Sequence, residues 1–162
     1  MGSAEAAVPE AIQGKIDLFV GRVQEHFHFL RGLSYQAPQV VARNDELLKY
    51  WTEVKYESRK AGREVSVRLA PVEDGDARGD VLNISISKFP HATYKDLLAF
   101  DLFVEKHRPE IGAQALDPRC YEGSFPHRVD SVLRLAASLL QTEARDILTG
   151  DRWEEGHYHP WV

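Results

Sequence analysis

The chain has 162 residues, 43% hydrophobic and 28% charged, enough for one domain with an apolar core of its own. A formal net charge of -5 disfavours non-specific binding to nucleic acid or acidic lipid, which needs basic clusters, and favours a basic protein partner. The single cysteine, Cys120, allows no internal disulfide, and no apolar run approaches the ~20 residues of a membrane helix, so a soluble chain of a reducing, cytoplasmic compartment is expected.

Residues 1–8 are expected to form a loose leader of small residues, without the basic segment and apolar core of a secretory signal, and residues 9–162 a single domain. From Pro9 the apolar residues Ile12, Ile16, Phe19, Val20, Val23, Phe27 and Leu30 follow steps of three and four, which predicts one helical stripe. Pro9 suits its first turn and Gly32 its stop. Gly14 and Gly21 cost roughly 1 kcal/mol each relative to Ala, so the helix depends on packing its stripe. His26 and His28 lie ~200° apart around such a helix and cannot share an ion.

Leu33 to Ala42 reads as extended and broken at Pro38, which places it at a sheet edge. "NDELL", Asn44 to Leu48, reads as one helical turn or the entry to the next strand. Then Thr52, Val54 and Tyr56, Val65, Val67 and Leu69, and Leu82, Ile84 and Ile86 each alternate with polar residues. Alternation three times over, with short polar connections, predicts an antiparallel meander with one dry face. Its other face, carrying Glu53, Lys55, Glu64, Arg68, Asn83, Ser85 and Ser87, is expected to be solvated or partner-facing.

"TYKD", Thr93 to Asp96, has capping-box spacing and predicts a helix running to about Arg108, stopped by Pro109. Asp101 falls close to the apolar side of that helix, where a carboxylate should be paired, capping or functional. Glu110 to Phe125 is loop-like. Pro126 to Leu148 again draws one helical stripe, with Gly150 at a left-handed cap. Helices on one face of an antiparallel sheet of three to five strands give a two-layer α+β fold.

Few segments carry chemistry. The acidic loop "DGDARGD", Asp74 to Asp80, has a calcium-loop rhythm, but its fifth position is the cation Arg78 and its twelfth is Ser85 in place of Glu, and the loop joins strands, not helices. Asp74, Asp76 and Asp80 are instead candidate contacts for a basic partner. Cys120 is expected to be a half-buried structural thiol; the order Cys120, His127 is a weak nucleophile signal. The terminal "EEGHYHPWV" admits two uses. In an extended chain His157 and His159 point the same way and could hold zinc, with Glu154 or Glu155 and a distant His127 or His91 completing the set. Alternatively, Trp153, Tyr158 and Trp161 pin the tail to the body or bind a partner, being residue types that dominate interface energies. No nucleophile elbow, phosphate-binding loop or dinucleotide fingerprint appears, so sequence offers no reason to assign an enzyme.

The segments "HFHFLRGLSY", "VKYESRKAGREVSVRLAP", "DVLNISI" and "DILTGD" together resemble small bacterial immunity-type proteins, the antitoxin partners of polymorphic toxins, and related α+β domains. The likeness covers about Phe19 to Asp151 and rests on core and turn residues. It implies an intracellular protein that blocks a partner protein by occlusion, with no catalytic residue carried over. The expectation is therefore a non-enzymatic protein-binding module. A metal-dependent hydrolase built on His157 and His159, and a subunit of a larger assembly, stand as alternatives.

Overall fold

A computed structural model describes residues 8–43 and 50–159. The expectations for residues 1–7, for Asn44 to Leu48 and for Trp161 lie outside these. Helix α1 spans Glu10–His26 and continues as a 3-10 segment, His28–Leu33. Five strands follow: β1 Gln39–Arg43, β2 Trp51–Ser58, β3 Arg63–Ala70, β4 Val81–Lys88 and β5 Leu97–Ala99. Then come α2 Phe100–His107, two short 3-10 turns, α3 Phe125–Thr142 and α4 Arg145–Leu148. The sheet is an antiparallel meander in the order β1-β2-β3-β4-β5.

The predicted alternation holds for the apolar residues that face the core. Val54, Val67 and Ile84 lie opposite one another across β2, β3 and β4, as do Tyr56, Val65 and Ile86, and all six are buried. They meet Phe19 and Val23 of α1, Phe27 just beyond its end, and Val129, Leu133, Ala136 and Leu140 of α3 in one apolar core. Helix α1 forms despite Gly14 and Gly21 because Ile12, Ile16, Phe19 and Val23 are fully or nearly buried along one side. Strand β1 is an edge strand directly after Pro38, consistent with a residue that can donate no ladder hydrogen bond.

Two boundaries differ from the sequence reading. Thr93 and Asp96 do form the capping box, but it opens only a single 3-10 turn, Tyr94–Asp96. The chain then straightens into β5, where Leu98 sits opposite Ile86, and α2 begins at Phe100. "LLAF" carries helical apolar spacing, yet pairing with β4 buries Leu98 completely, and tertiary burial overrides local propensity. The last helix also breaks, at Glu143 and Ala144, before α4.

The C-terminal segment is tied back to the first hairpin by Arg63. Its side chain is buried and donates to the carbonyls of Ala61, Gly62, Ile147 and Arg152, while its guanidinium stacks 5.0 Å from the Trp153 ring. Burial lowers the Arg63 pKa, but a guanidinium stays charged in proteins, and carbonyl dipoles satisfy it here. Tyr35 Oη adds a bond to the Leu148 carbonyl at 2.8 Å. Among the described residues no helix is long and apolar enough to cross a membrane.

Candidate functional site

The sheet face away from the core carries a continuous polar field. Glu53, Arg68 and Asn83 form one cross-strand row; Lys55, Ser66 and Ser85 a second; Glu57, Glu64 and Ser87 a third. Arg68 and Asn83 are exposed, and Lys55, Glu57, Glu64, Ser85 and Ser87 are half-buried. Glu53 departs from the expected solvated placement, being only 5% exposed. It accepts hydrogen bonds from Ser66 Oγ at 2.6 Å and from Arg68 Nε, and Arg68 in turn lies over the Trp51 ring. Its two bonding partners, Ser66 and Arg68, come from the neighbouring strand β3.

Two glutamates on this face behave oppositely. Burial pushes the Glu53 carboxyl up, but the bonds from Ser66 and Arg68 and the charges of Arg68 and Lys55 together hold it below the usual range. Burial also raises Glu64, and there Lys55 only partly offsets the effect, because Glu53 and Glu57 repel it. Glu57 sits directly opposite Glu64 in the ladder, and like charges in that position destabilise a sheet.

A pH dependence follows with a definite sign. A carboxyl depressed in the folded state contributes stability above its unfolded pKa, and that contribution disappears as pH falls through the lowered folded value. Thermal unfolding of Glu53→Gln against wild type should therefore show a deficit at neutral pH that shrinks on acidification below the usual carboxylate range. A deficit constant with pH would contradict a charged, hydrogen-bonded Glu53.

The acidic loop divides in two. The Asp74 side chain is exposed and reaches Lys15 at 3.0 Å, and Asp76 is half-buried and bonded to Arg78. Asp80 is 2% exposed, which corrects its assignment as a partner contact. It accepts from Lys15 at 3.0 Å, from the Val72 N–H at 2.9 Å and from Arg128 at 3.3 Å. Lys15 carried the missed signal: it sits on the apolar stripe of α1, between Ile12 and Phe19, and a cation there demands a buried anion.

The tail is pinned along its described length. Trp153 is partly buried, and its indole N–H donates to the Lys95 carbonyl at 2.8 Å. The Tyr158 ring packs 4.6 Å from Tyr94. The Ala99 N–H donates to the His157 carbonyl at 2.6 Å, joining the tail to β5. Trp153 and Tyr158 are thus engaged within the chain, matching the pinning alternative.

His157 and His159 do not share a site. His159 is exposed, and its Nε2 meets Asp101 Oδ2 at 2.9 Å. Asp101 also accepts from the Leu102 N–H in the first turn of α2, so of the roles expected of it the pairing is realised, while the cap position of α2 falls to Ala99, which makes no side-chain cap bond. His157 is 4% exposed, and its Nε2 is buried without a hydrogen-bond partner. It faces Glu154 Oε2 at 3.6 Å, beyond hydrogen-bond range. His107, the last residue of α2, holds both Glu154 oxygens at 2.8 Å. One ligand atom from each of His107, Glu154 and His157 lies within 4.8 Å of the others. Phe103 walls the group, its ring 4.3 Å from that of His107 and 5.6 Å from that of His157. Burial lowers the His157 pKa against the pull of Glu154, which favours the neutral imidazole. Nothing in the spacing of "EKHRPE" points to His107, because 47 residues separate it from Glu154.

Cys120 is exposed, a correction to the half-buried thiol expected, since its 3-10 turn buries Pro118 instead. Compared with known proteins, the chain matches no family model, curated protein or solved structure at a significant level, so the likeness to immunity-type proteins rests on the quoted segments alone.

Proposed function

We propose that the chain is a non-enzymatic binding module that occludes a basic surface on a partner protein with the polar face of its sheet. The observation that carries this reading is the Glu57–Glu64 pair. It places two carboxylates directly opposite one another on the sheet face away from the core, at a cost in folding free energy that a cation from outside would relieve. Trp51 and Arg68, stacked further along the same strands, are residue types that anchor interfaces. Exposed Asp74 and the net charge of -5 favour the same partner by steering its approach. The resemblance to immunity-type proteins implies the same mode of action, in a cytoplasmic setting.

The test is a comparison of baits. Wild-type protein and the charge-reversed Glu57→Lys, Glu64→Lys variant are used to capture partners from the host at low salt. A stoichiometric partner retained by wild type and lost by the variant is the expected result. Equal capture by both, or none by wild type, would refute the assignment of this face. A Glu64→Gln variant should melt above wild type while binding more weakly, because the group repelled in the free protein is the one a cationic partner satisfies.

A further inference from the structure

We propose that His107, Glu154 and His157 form a zinc site that clasps the C-terminal segment to the end of α2. It is a metal site separate from the sheet face and independent of the partner reading.

The donor set fits. Two imidazoles and a carboxylate suit zinc, which binds nitrogen at about 2.0–2.1 Å and carboxylate oxygen at about 2.0–2.2 Å. In a tetrahedral shell such bonds place neighbouring ligand atoms roughly 3.4 Å apart. The separation from Glu154 to His157, 3.6 Å, is already of that size, and the 2.8 Å from Glu154 to His107 needs to open by only about half an ångström. Water completes the shell.

The site is also built. His157 Nε2 is the decisive atom: a buried ring nitrogen without a partner is costly to leave unsatisfied, and a cation between it and Glu154 satisfies it. Gly156, at φ +95, bends the tail so that Glu154 and His157 turn to one side. The Ala99 N–H fixes His157 from behind through its carbonyl. Phe103 holds the two rings in place and keeps one side of the group dry.

Two other charges face the cluster. Lys106 Nζ lies 3.5 Å from Glu154 Oε1, and Arg152 lies 3.4 Å from Glu154 Oε2. The Lys106 side chain is 61% exposed and can swing to solvent when an ion takes its place at the carboxylate, and Arg152 has Asp146 as its other partner, at 2.7 Å. They compete with the metal and weaken it without blocking it.

The experiment uses the full chain, produced without a histidine tag, stripped with chelator and titrated with zinc by calorimetry, with thermal unfolding followed in parallel. The expected result is one zinc per chain and a higher melting temperature, with cobalt in place of zinc giving the visible absorption of a tetrahedral site. His107→Ala should weaken binding at least tenfold; His107 is only half-buried, so this variant tests the site without emptying the core. His159→Ala should leave affinity unchanged, and Lys106→Ala should tighten it several-fold. Absence of stoichiometric zinc binding, or affinity undiminished in His107→Ala, overturns the proposal, and neither outcome bears on capture by the sheet face.

Discussion

Replacing Asp80 by alanine is expected to lower the unfolding free energy by about 3 kcal/mol, the low end of what breaking a buried ion pair costs. Three groups lose their partner at once. Lys15 is 8% exposed, and its ammonium keeps only the Val72 carbonyl at 2.7 Å, the exposed Asp74 at 3.0 Å and the face of Phe125 at 5.0 Å. Arg128 loses its bond at 3.3 Å, while its Nε is already buried without a partner. The Val72 N–H, which Asp80 caps at 2.9 Å, is left unpaired. Asp74 keeps the loss from being larger, since it can still neutralise part of the charge. Asp80→Asn retains an acceptor for Val72 and should fall between wild type and alanine. The double variant Lys15→Met, Asp80→Ala should lose less than the two singles added together, because the second change removes the cation that the first stranded. Urea unfolding of the four proteins measures this directly. A loss below about 0.5 kcal/mol for Asp80→Ala, the range of ordinary surface substitutions, would show that water enters the network and that the loop is not locked to α1.

The second large effect is at Gly150. Its φ is +88, and a Cβ built there would lie 2.5 Å from the Ala61 carbonyl oxygen and 3.1 Å from Ala61 Cα. The obstruction is backbone, and that backbone is held by Arg63, which donates to the Ala61 and Gly62 carbonyls as well as to Ile147 and Arg152. Gly150→Ala is therefore expected to cost about 3 kcal/mol: 1–2 for a left-handed residue with a Cβ, and the rest for forcing the β2–β3 turn away from the end of α4. Gly62 supplies the control, since its φ is +67 but nothing lies within 4 Å of its Cβ position. Gly62→Ala should cost only about 1 kcal/mol, the conformational part alone. Equal losses in the two variants, read by denaturant unfolding, would mean that close approach at Gly150 contributes nothing.

The pattern of legible and illegible features has a physical cause. Strands β2, β3 and β4 could be read because a sheet with one dry face writes its register into every second residue, and Val54, Val67 and Ile84 duly stack across the sheet. The stripe of α3 was readable for the same reason at the helical period. Strand β5 was not, because three residues hold no period, and only contact with β4 decides their conformation. The capping box at Thr93 is legible in "TYKD", but a cap specifies where a helix can begin and not how far it runs.

The candidate sites divide along the same line. The residues of the polar sheet face were named from alternation alone, yet alternation could not tell that Ser66 and Arg68 would bury Glu53. Asp74 and Asp80 look alike in the loop and both meet Lys15 at 3.0 Å; the further bonds from the Val72 N–H and from Arg128, 48 residues away, accompany the buried carboxylate. In the tail the spacing suggested His157 with His159; folding sends His159 to Asp101 and brings His107 to His157 instead.

By itself, then, the amino-acid sequence determined the two-layer α+β class, the dry and wet faces of the central strands and the residues of the core, since each follows from a period set by local backbone geometry. The tertiary structure alone decided which polar groups are buried and which meet. Those contacts join positions tens of residues apart, and a side chain's partner across such a distance depends on how whole elements pack, which no local period encodes.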